Sequence, residues 1–326
     1  MDIRTTDRLG ANLSAIGLGT WQLGADWGEV SEPDATALLD AAVQAGVTFF
    51  DTADVYGDGR SERVIGAYLD GKEGIFVATK MGRRGPQDPD EFVLDNFRAW
   101  TDRSRENLRT DTLDLVQLHC PPSVTLGMDQ VFDDLDVLVE EGAIAAYGVS
   151  VETVEEALAA MERPNVASIQ IILNAFRLKP LDLVLPTAIE NGVAIIARVP
   201  LASGLLSNKY TKDTKFAAND HRNYNRSGES FDVGETFSGV DFETGLAAAS
   251  EFAALAASVD LAPSTAALAW VAQLPGVTTV IPGARNIAQA ESNAAAGEVA
   301  RLPESFTSSV SDIYDRYFRA AIHHRW

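Results

Sequence analysis

Asp51, Tyr56, Lys80 and His119 are the side chains of this 326-residue chain whose types make chemical sense as a set. Each follows a short apolar run: Val47–Phe50 leads to Asp51 and Tyr56, Ile75–Thr79 to Lys80, and Leu113–Leu118 to His119. A free tyrosine ionises near pH ~10 and is a poor acid at neutrality. A neighbouring ammonium favours the phenolate and lowers that value, and a carboxylate paired with the ammonium holds it in place. A histidine close by can orient or protonate a carbonyl oxygen. The four together would make a proton donor for a carbonyl that accepts a hydride. Singly, each has a plainer role: a helix cap, a loop aromatic, a solvated lysine at a strand end, a satisfied core histidine. Their recurrence at successive strand ends argues for one site.

The elements that must position them are legible as alternating short apolar runs and longer amphipathic stretches. Ala15–Gly19, Val47–Phe50, Ile75–Thr79, Leu113–Leu118, Ile144–Val149, Ala167–Leu173, Val193–Ala197 and Val277–Ile281 read as buried parallel strands. Helix-like segments lie between them: Glu32–Ala45, Thr125–Glu141, Val151–Met161, Asp182–Glu190, Ser264–Gln273 and Asn286–Ala296, with Glu304–Ala321 at the end. Eight strands with interleaved helices predict an α/β fold, a (β/α)8 barrel forming a single domain over residues 1–326, with a doubly wound sheet as the competitor. A turn at Leu9-Gly10-Ala11 predicts a small hairpin closing the barrel bottom. Lys209–Thr244, after the seventh strand, is long, irregular and rich in aromatics and charge, as expected of an ordered lid. Barrel sites lie at the C-terminal ends of the strands. That rule adds Ser150, Gln170, Asn174, Arg198, Gly283 and Arg285 to the candidates.

Lys and Arg number 26 and Asp and Glu 47, giving a formal charge of −21, which argues against nucleic acid or an anionic membrane as partner. The single cysteine, Cys120, excludes an intrachain disulfide and fits a reducing cytoplasm. The start Met1-Asp2-Ile3-Arg4 lacks signal-peptide character, and no apolar run approaches the 18 or so residues of a membrane span. His323-His324 resembles no metal site, so no metal is expected. Oligomeric state carries no signal in the sequence.

The motifs Gly17-Leu18-Gly19-Thr20-Trp21, Phe50-Asp51-Thr52-Ala53-Asp54-Val55-Tyr56-Gly57, Ala78-Thr79-Lys80 and Leu118-His119 resemble the aldo-keto reductase superfamily. Arg198-Val199-Pro200-Leu201-Ala202-Ser203-Gly204-Leu205-Leu206 and Ile281-Pro282-Gly283-Ala284-Arg285 continue the likeness in order, over about residues 5–300. The Pro-Leu-Ala-Ser-Gly-Leu-Leu block looks closer to the bacterial reductases and potassium-channel β-subunits than to mammalian steroid and aldose reductases. The resemblance implies Tyr56 as general acid, Lys80 and Asp51 as its tuning pair, and His119 as the group orienting the carbonyl. It also implies NADPH bound across the barrel mouth without a Rossmann domain. The sequence agrees, since Gln22 stands where the dinucleotide fingerprint needs a third glycine.

Cofactor residues carry over position by position. Gly19, Thr20, Trp21 and Asp51 belong to the matching opening motifs. Ser150 and Gln170 match the residues that hold the nicotinamide carboxamide. Pro200, Leu201, Ser203, Gly204, Leu205, Ser207 and Lys209 match the loop along the pyrophosphate. Gly283 permits close backbone approach, and Arg285, Gln289 and Asn293 match the adenosine end, with Arg285 placed to fork onto a 2′-phosphate. Two positions depart from many relatives. Val151 replaces an asparagine, removing one carboxamide contact. Arg198 replaces a Tyr or Trp that stacks on the nicotinamide, and its charge is expected to penalise NADP⁺ relative to NADPH.

The expected activity is reduction of an aldehyde or ketone. The alternative is a cofactor-binding, redox-sensing regulatory protein like the channel β-subunits. The substrate would be a small carbonyl compound in a pocket of Trp21, Tyr56, His119, the Pro121-Pro122 turn and the lid residues Phe216, His221, Arg222 and Phe231. His221 and Arg222 are candidates either for recognising an anion or for tying the lid down.

Overall fold

Two short antiparallel strands, β1 (Ile3–Arg4) and β2 (Leu13–Ser14), form the expected hairpin. Eight parallel strands then follow in chain order round a barrel: β3 (Leu18–Gly19), β4 (Phe49–Asp51), β5 (Phe76–Met81), β6 (Leu115–His119), β7 (Tyr147–Ser150), β8 (Val166–Ile172), β9 (Ala194–Arg198) and β10 (Val277–Val280). The molecule is a (β/α)8 barrel. The computed structural model describes residues 1–24, 30–218, 220–230 and 232–326; Phe231 of the anticipated pocket lies outside them.

The first and last strands meet through isolated parallel bridges, Ile16 to Val280 and Gly19 to Gly283. Gly17 N donates to Val280 O at 2.8 Å, and Gly19 N to Pro282 O at 3.0 Å. Gly17 is required here: a Cβ would lie 2.7 Å from the Phe49 ring. The first barrel strand, Leu18–Gly19, is shorter than the expected Ala15–Gly19, with Ile16 making only an isolated bridge.

Helices cover the outside: α1 (Glu32–Gln44), α2 (Arg60–Leu69), α3 (Leu94–Leu108), α4 (Asp129–Glu140), α5 (Val154–Met161), α6 (Val184–Asn191), the single turn α7 (His221–Tyr224), α8 (Phe242–Ala257), α9 (Pro263–Ala272), α10 (Ile287–Ala295), α11 (Glu304–Tyr317) and α12 (Arg319–Ile322). α5 starts three residues later than the sequence suggests, because Thr153 caps it. Its hydroxyl accepts from Glu156 N, and Glu156 reaches back to the Thr153 N–H. Thr125 sits in a separate 3-10 turn, Ser123–Gly127, and Met128 is extended before α4 begins. The expected C-terminal helix breaks at Phe318, whose backbone leaves helical values. α2, α3 and α8 were not anticipated. α3 is mostly polar and buries only four of its fifteen residues, so its apolar spacing is sparse.

The strands alternate, and the alternation sorts two cores. Phe50, Val77, Val116, Leu118, Val149, Ile169 and Ile195 pack outward under the helices. Inward, Phe49, Ala78, Leu115, Ile196 and Ile281 form a plug with Leu13 of the hairpin. The same inward register continues two residues on: Phe49 to Asp51, Ala78 to Lys80, Leu115 to Gln117 and His119, Ile196 to Arg198. The barrel interior is therefore apolar at the hairpin end and polar at the other.

Candidate active site

The polar end of that register assembles the residues. Lys80 Nζ, 1% exposed, donates to Asp51 Oδ1 at 2.5 Å and to Thr52 O at 2.8 Å. Gln170 Nε2 donates to Asp51 Oδ2 at 2.6 Å, and Gln117 Nε2 approaches the same oxygen at 3.4 Å. Lys80 Nζ lies 5.1 Å from the Tyr56 ring centroid. The Tyr56 and His119 rings meet edge to face at 6.1 Å, and Trp21 stacks on Tyr56 at 6.0 Å. Asp51, Tyr56, Lys80 and His119 are thus brought together.

Their protonation departs from the sequence expectation at one point. Burial outweighs the nearby Lys80 ammonium, so the Tyr56 phenol is pushed above its ordinary value rather than below it. Desolvation of a phenolate is the larger effect in this site, and the phenol keeps its proton. Burial also opposes the charge on Lys80, but Asp51 and Tyr56 together offset it and the ammonium is stabilised. Burial, together with Arg83, Lys80 and Arg198, holds His119 well below the ordinary imidazole value, so it is neutral. Its Nδ1 has no hydrogen-bond partner among the described residues.

Arg198, whose charge was expected to penalise NADP⁺ relative to NADPH, is buried at the end of β9 and does not stand alone. Its Nη1 lies 3.2 Å from Glu235 Oε1, and its Nη2 donates to Val151 O at 3.1 Å. Glu235 belongs to the 3-10 turn Val233–Glu235 in the segment after β9. Burial works against the Glu235 charge, but Arg198 and Arg83 keep its carboxyl below the usual carboxylate range. Arg83, just past β5, places Nη1 3.9 Å from the same Oε1. The Arg198 charge thus has a fixed anion beside it, Glu235, which it shares with Arg83. Glu235 and Arg83 were missed in the sequence; the available signal was that an inward-facing arginine at a strand end requires a buried counter-charge. The Val151 side chain is buried in the core, away from any polar role.

The segment from Lys209 is ordered by its own contacts. Arg222 Nε and Nη2 donate to the Asp220 carboxylate at 2.8 and 2.5 Å, and Arg222 Nη1 donates to the Tyr210 hydroxyl. The Arg222 guanidinium stacks 4.6 Å from the Phe216 ring centroid, which ties the lid to itself. His221 packs on Trp21 at 5.2 Å and so does border the mouth. Ser203 Oγ donates to Glu235 O at 2.8 Å and accepts from Phe237 N at 3.0 Å. Trp326 Nε1 donates to Asp232 Oδ2 at 3.2 Å, and Arg177 stacks 4.1 Å over the Trp326 ring.

Of the other candidates, Thr20 Oγ1 donates to Asp51 O at 2.8 Å, and Ser150 Oγ lies 3.7 Å from Cys120 Sγ. Ser207 Oγ donates to Gly204 O at 2.7 Å, while Lys209 is exposed. Gly204 sits at φ +95°, a conformation that admits glycine readily. Pro200, Leu201 and Leu205 complete this turn. At the far side, Asn286 caps α10 by accepting from Gln289 N at 3.0 Å, Gln289 Oε1 accepts from Arg285 N at 2.8 Å, and Asn293 Nδ2 donates to Gly283 O at 3.1 Å. The Arg285 side chain is exposed beside that helix start.

The polar mouth of the barrel thus holds the buried Lys80–Asp51 pair, the half-buried Tyr56 and a neutral histidine together. The chain belongs to the aldo/keto reductase family, whose model matches residues 15–315. It is 34% identical over 296 residues to an uncharacterized oxidoreductase of Mycobacterium tuberculosis, covering 88% of this chain and 85% of that protein. Its fold is similar to the glycerol dehydrogenase of Gluconobacter oxydans, with a TM-score of 0.81, 29% identity, and 97% and 96% of the two chains covered. It is also similar to an aldo-keto reductase from Klebsiella pneumoniae solved in complex with NADPH, with a TM-score of 0.72 and 24% identity over 96% of each chain. No helix among the described residues is long and apolar enough to cross a membrane.

Proposed function

We propose that this chain is an NADPH-dependent reductase of aldehydes or ketones, acting as a single barrel domain with Tyr56 as the general acid. The observation that carries the reading is the buried Lys80–Asp51 pair set against the Tyr56 ring, with neutral His119 alongside. Tyr56 holds its proton at neutral pH, as an acid must before the reaction. Lys80 then stabilises the phenolate left when the proton passes to the substrate oxygen. Asp51, fixed by Lys80 and Gln170, keeps the ammonium in place. His119, being neutral, can donate a ring N–H toward that oxygen and aim it at Tyr56.

The residues present fit a nicotinamide dinucleotide. Gln170 donates one Nε2 N–H to Asp51, its Oε1 is an acceptor of the kind a carboxamide N–H needs, and Ser150 pairs with Gln170 in the neighbouring strand. The turn from Pro200 to Lys209 and the start of α10 with Arg285 would hold the phosphates. When bound, the reduced nicotinamide supplies the hydride. The buried Nδ1 of His119 and Nε of Arg198, without partners among the described residues, are groups that a polar ligand in the mouth would satisfy.

The test is NADPH oxidation with a panel of aliphatic, aromatic, keto-acid and sugar carbonyls, in the wild type and in Tyr56→Phe. The variant loses only the phenolic proton. It should bind NADPH, read by fluorescence, and fail to reduce any carbonyl that the wild type turns over. Wild-type turnover in Tyr56→Phe would sink the assignment.

A further inference from the structure

We propose that Trp326 is a positioning residue for the reaction: its indole holds the turn that carries Glu235, and through that turn the carboxylate that faces Arg198 and Arg83 at the barrel mouth. This rests on the reductase reading above and adds a residue outside the catalytic group to the same site. Trp326 is 5% exposed. Its Nε1 donates to Asp232 Oδ2 at 3.2 Å. The other oxygen of that carboxylate accepts from Gly234 N at 2.6 Å and so caps the turn Val233–Glu235. The indole lies where this segment has no side chains. A Cβ on Gly234 would stand 2.8 Å from Trp326 Cζ2, and one on Gly239 2.5 Å from Cη2. The Arg177 guanidinium stacks 4.1 Å from the ring centroid and donates to Glu152 O at 2.6 Å, just past β7, which ties the ring to the barrel.

The ring reaches this place by a fixed path. Phe318, where α11 ends, packs on Phe176 at 4.5 Å, and Ile322 of α12 is buried. From the side of β9, Ser203 holds Glu235 by its backbone carbonyl. Two anchors therefore set one short turn, and the Glu235 side chain it presents is the anion that Arg198 and Arg83 share. Where that anion stands matters to the reacting groups. Burial is the main reason that Tyr56 keeps its proton; Asp51 and Glu235 add to it, and Lys80 and Arg198 oppose it. His119, edge-on to the Tyr56 ring, is neutral. With Glu235 displaced, the two cations act on Tyr56 with less opposition, and the phenol gives up its proton at lower pH.

The test uses Trp326→Leu, which removes both ring and N–H, and Trp326→Phe, which keeps a ring for Arg177 and loses the bond to Asp232. Trypsin reads the segment without any turnover. Cleavage after the exposed Arg226 should be about tenfold faster in Trp326→Leu, the scale of one hydrogen bond plus one cation–π contact. The pH profile of kcat/KM at saturating NADPH reads the coupling to the acid. Its alkaline limb should move to lower pH by about half a unit or more in Trp326→Leu. Glu235→Gln should move the limb the same way, and Trp326→Leu added to it should move it no further. Loss of packing alone would lower kcat/KM at every pH and leave the limb in place. Trp326→Phe should lie between the wild type and Trp326→Leu on both readouts, and it carries the test by itself if Trp326→Leu does not fold. A limb unmoved in the Trp326 variants, or shifts that simply add in the double variant, would overturn the positioning role and leave the reductase reading intact. Faster cleavage of a Trp326 variant in a protein that reduces no carbonyl would overturn the reductase reading and leave the anchor standing.

Discussion

Lys80 and Asp51 form a buried ion pair, and such a pair is costly to break from one side. Lys80→Met leaves the Asp51 carboxylate with amide donors from Gln170 and Gln117 but no counter-charge. The variant should lose activity and also about 3 kcal/mol of stability in denaturant unfolding. Adding Asp51→Asn should restore part of that stability and none of the activity; a Lys80→Met protein as stable as the wild type would contradict the pairing. Asp54, 2% exposed, has the opposite problem: burial and the nearby Glu62 push its carboxyl up to about 7, and its Oδ1 lacks a partner among the described residues. The unfolded chain gives up that proton near pH ~4, while the folded one keeps it to about 7. Stability is therefore lost as pH rises through this window. Asp54→Asn should stabilise the protein more at pH ~8 than at pH ~5.5, by roughly 1–2 kcal/mol in the difference. Thermal unfolding at the two pH values checks the sign.

At the scale of elements, α10 begins beside Arg285, so in the proposed NADPH site a fixed cation and a helix N-terminus would act together on a 2′-phosphate. NADPH should bind more tightly than NADH by about tenfold to a hundredfold, and Arg285→Ala should narrow the gap by weakening NADPH. Equal dissociation constants in the wild type would remove this role. The eight barrel strands, the hairpin and most helices were legible because buried parallel strands are short apolar runs with polar residues at their ends. α3 was not, because only Phe97, Thr101, Ser104 and Leu108 of its residues are buried. α8 escaped notice because its alanines give little contrast between faces. The four central residues were legible from their places after strands. Glu235 was not, because its approach to Arg198 joins a strand end to an irregular segment whose path no local pattern encodes. The direction of the Tyr56 shift was also hidden, since burial is a property of the folded site.

Over the whole molecule, the stretch from Lys209 to the start of α8 covers one side of the mouth and is stitched down by its own polar contacts. Lys209, Lys212 and Lys215 are exposed near its beginning. Trypsin should nick the protein there, and NADPH should slow the cut by ordering the adjoining Pro200–Lys209 turn; identical cleavage with and without NADPH would uncouple the segment from the cofactor. The seam of the barrel bears on how the chain is made. Gly19 leaves the ribosome early, but Gly283, which it meets across the seam, follows only after most of the chain has been synthesised. At about 5–20 residues per second that interval is on the order of tens of seconds. Throughout it the growing sheet has two open edges, each able to pair with a strand from a neighbouring nascent chain. The brevity of β3, two residues long, then has a protective sense. It offers too short a template for such mispairing, and the barrel closes through bridges that form only once the last strand arrives.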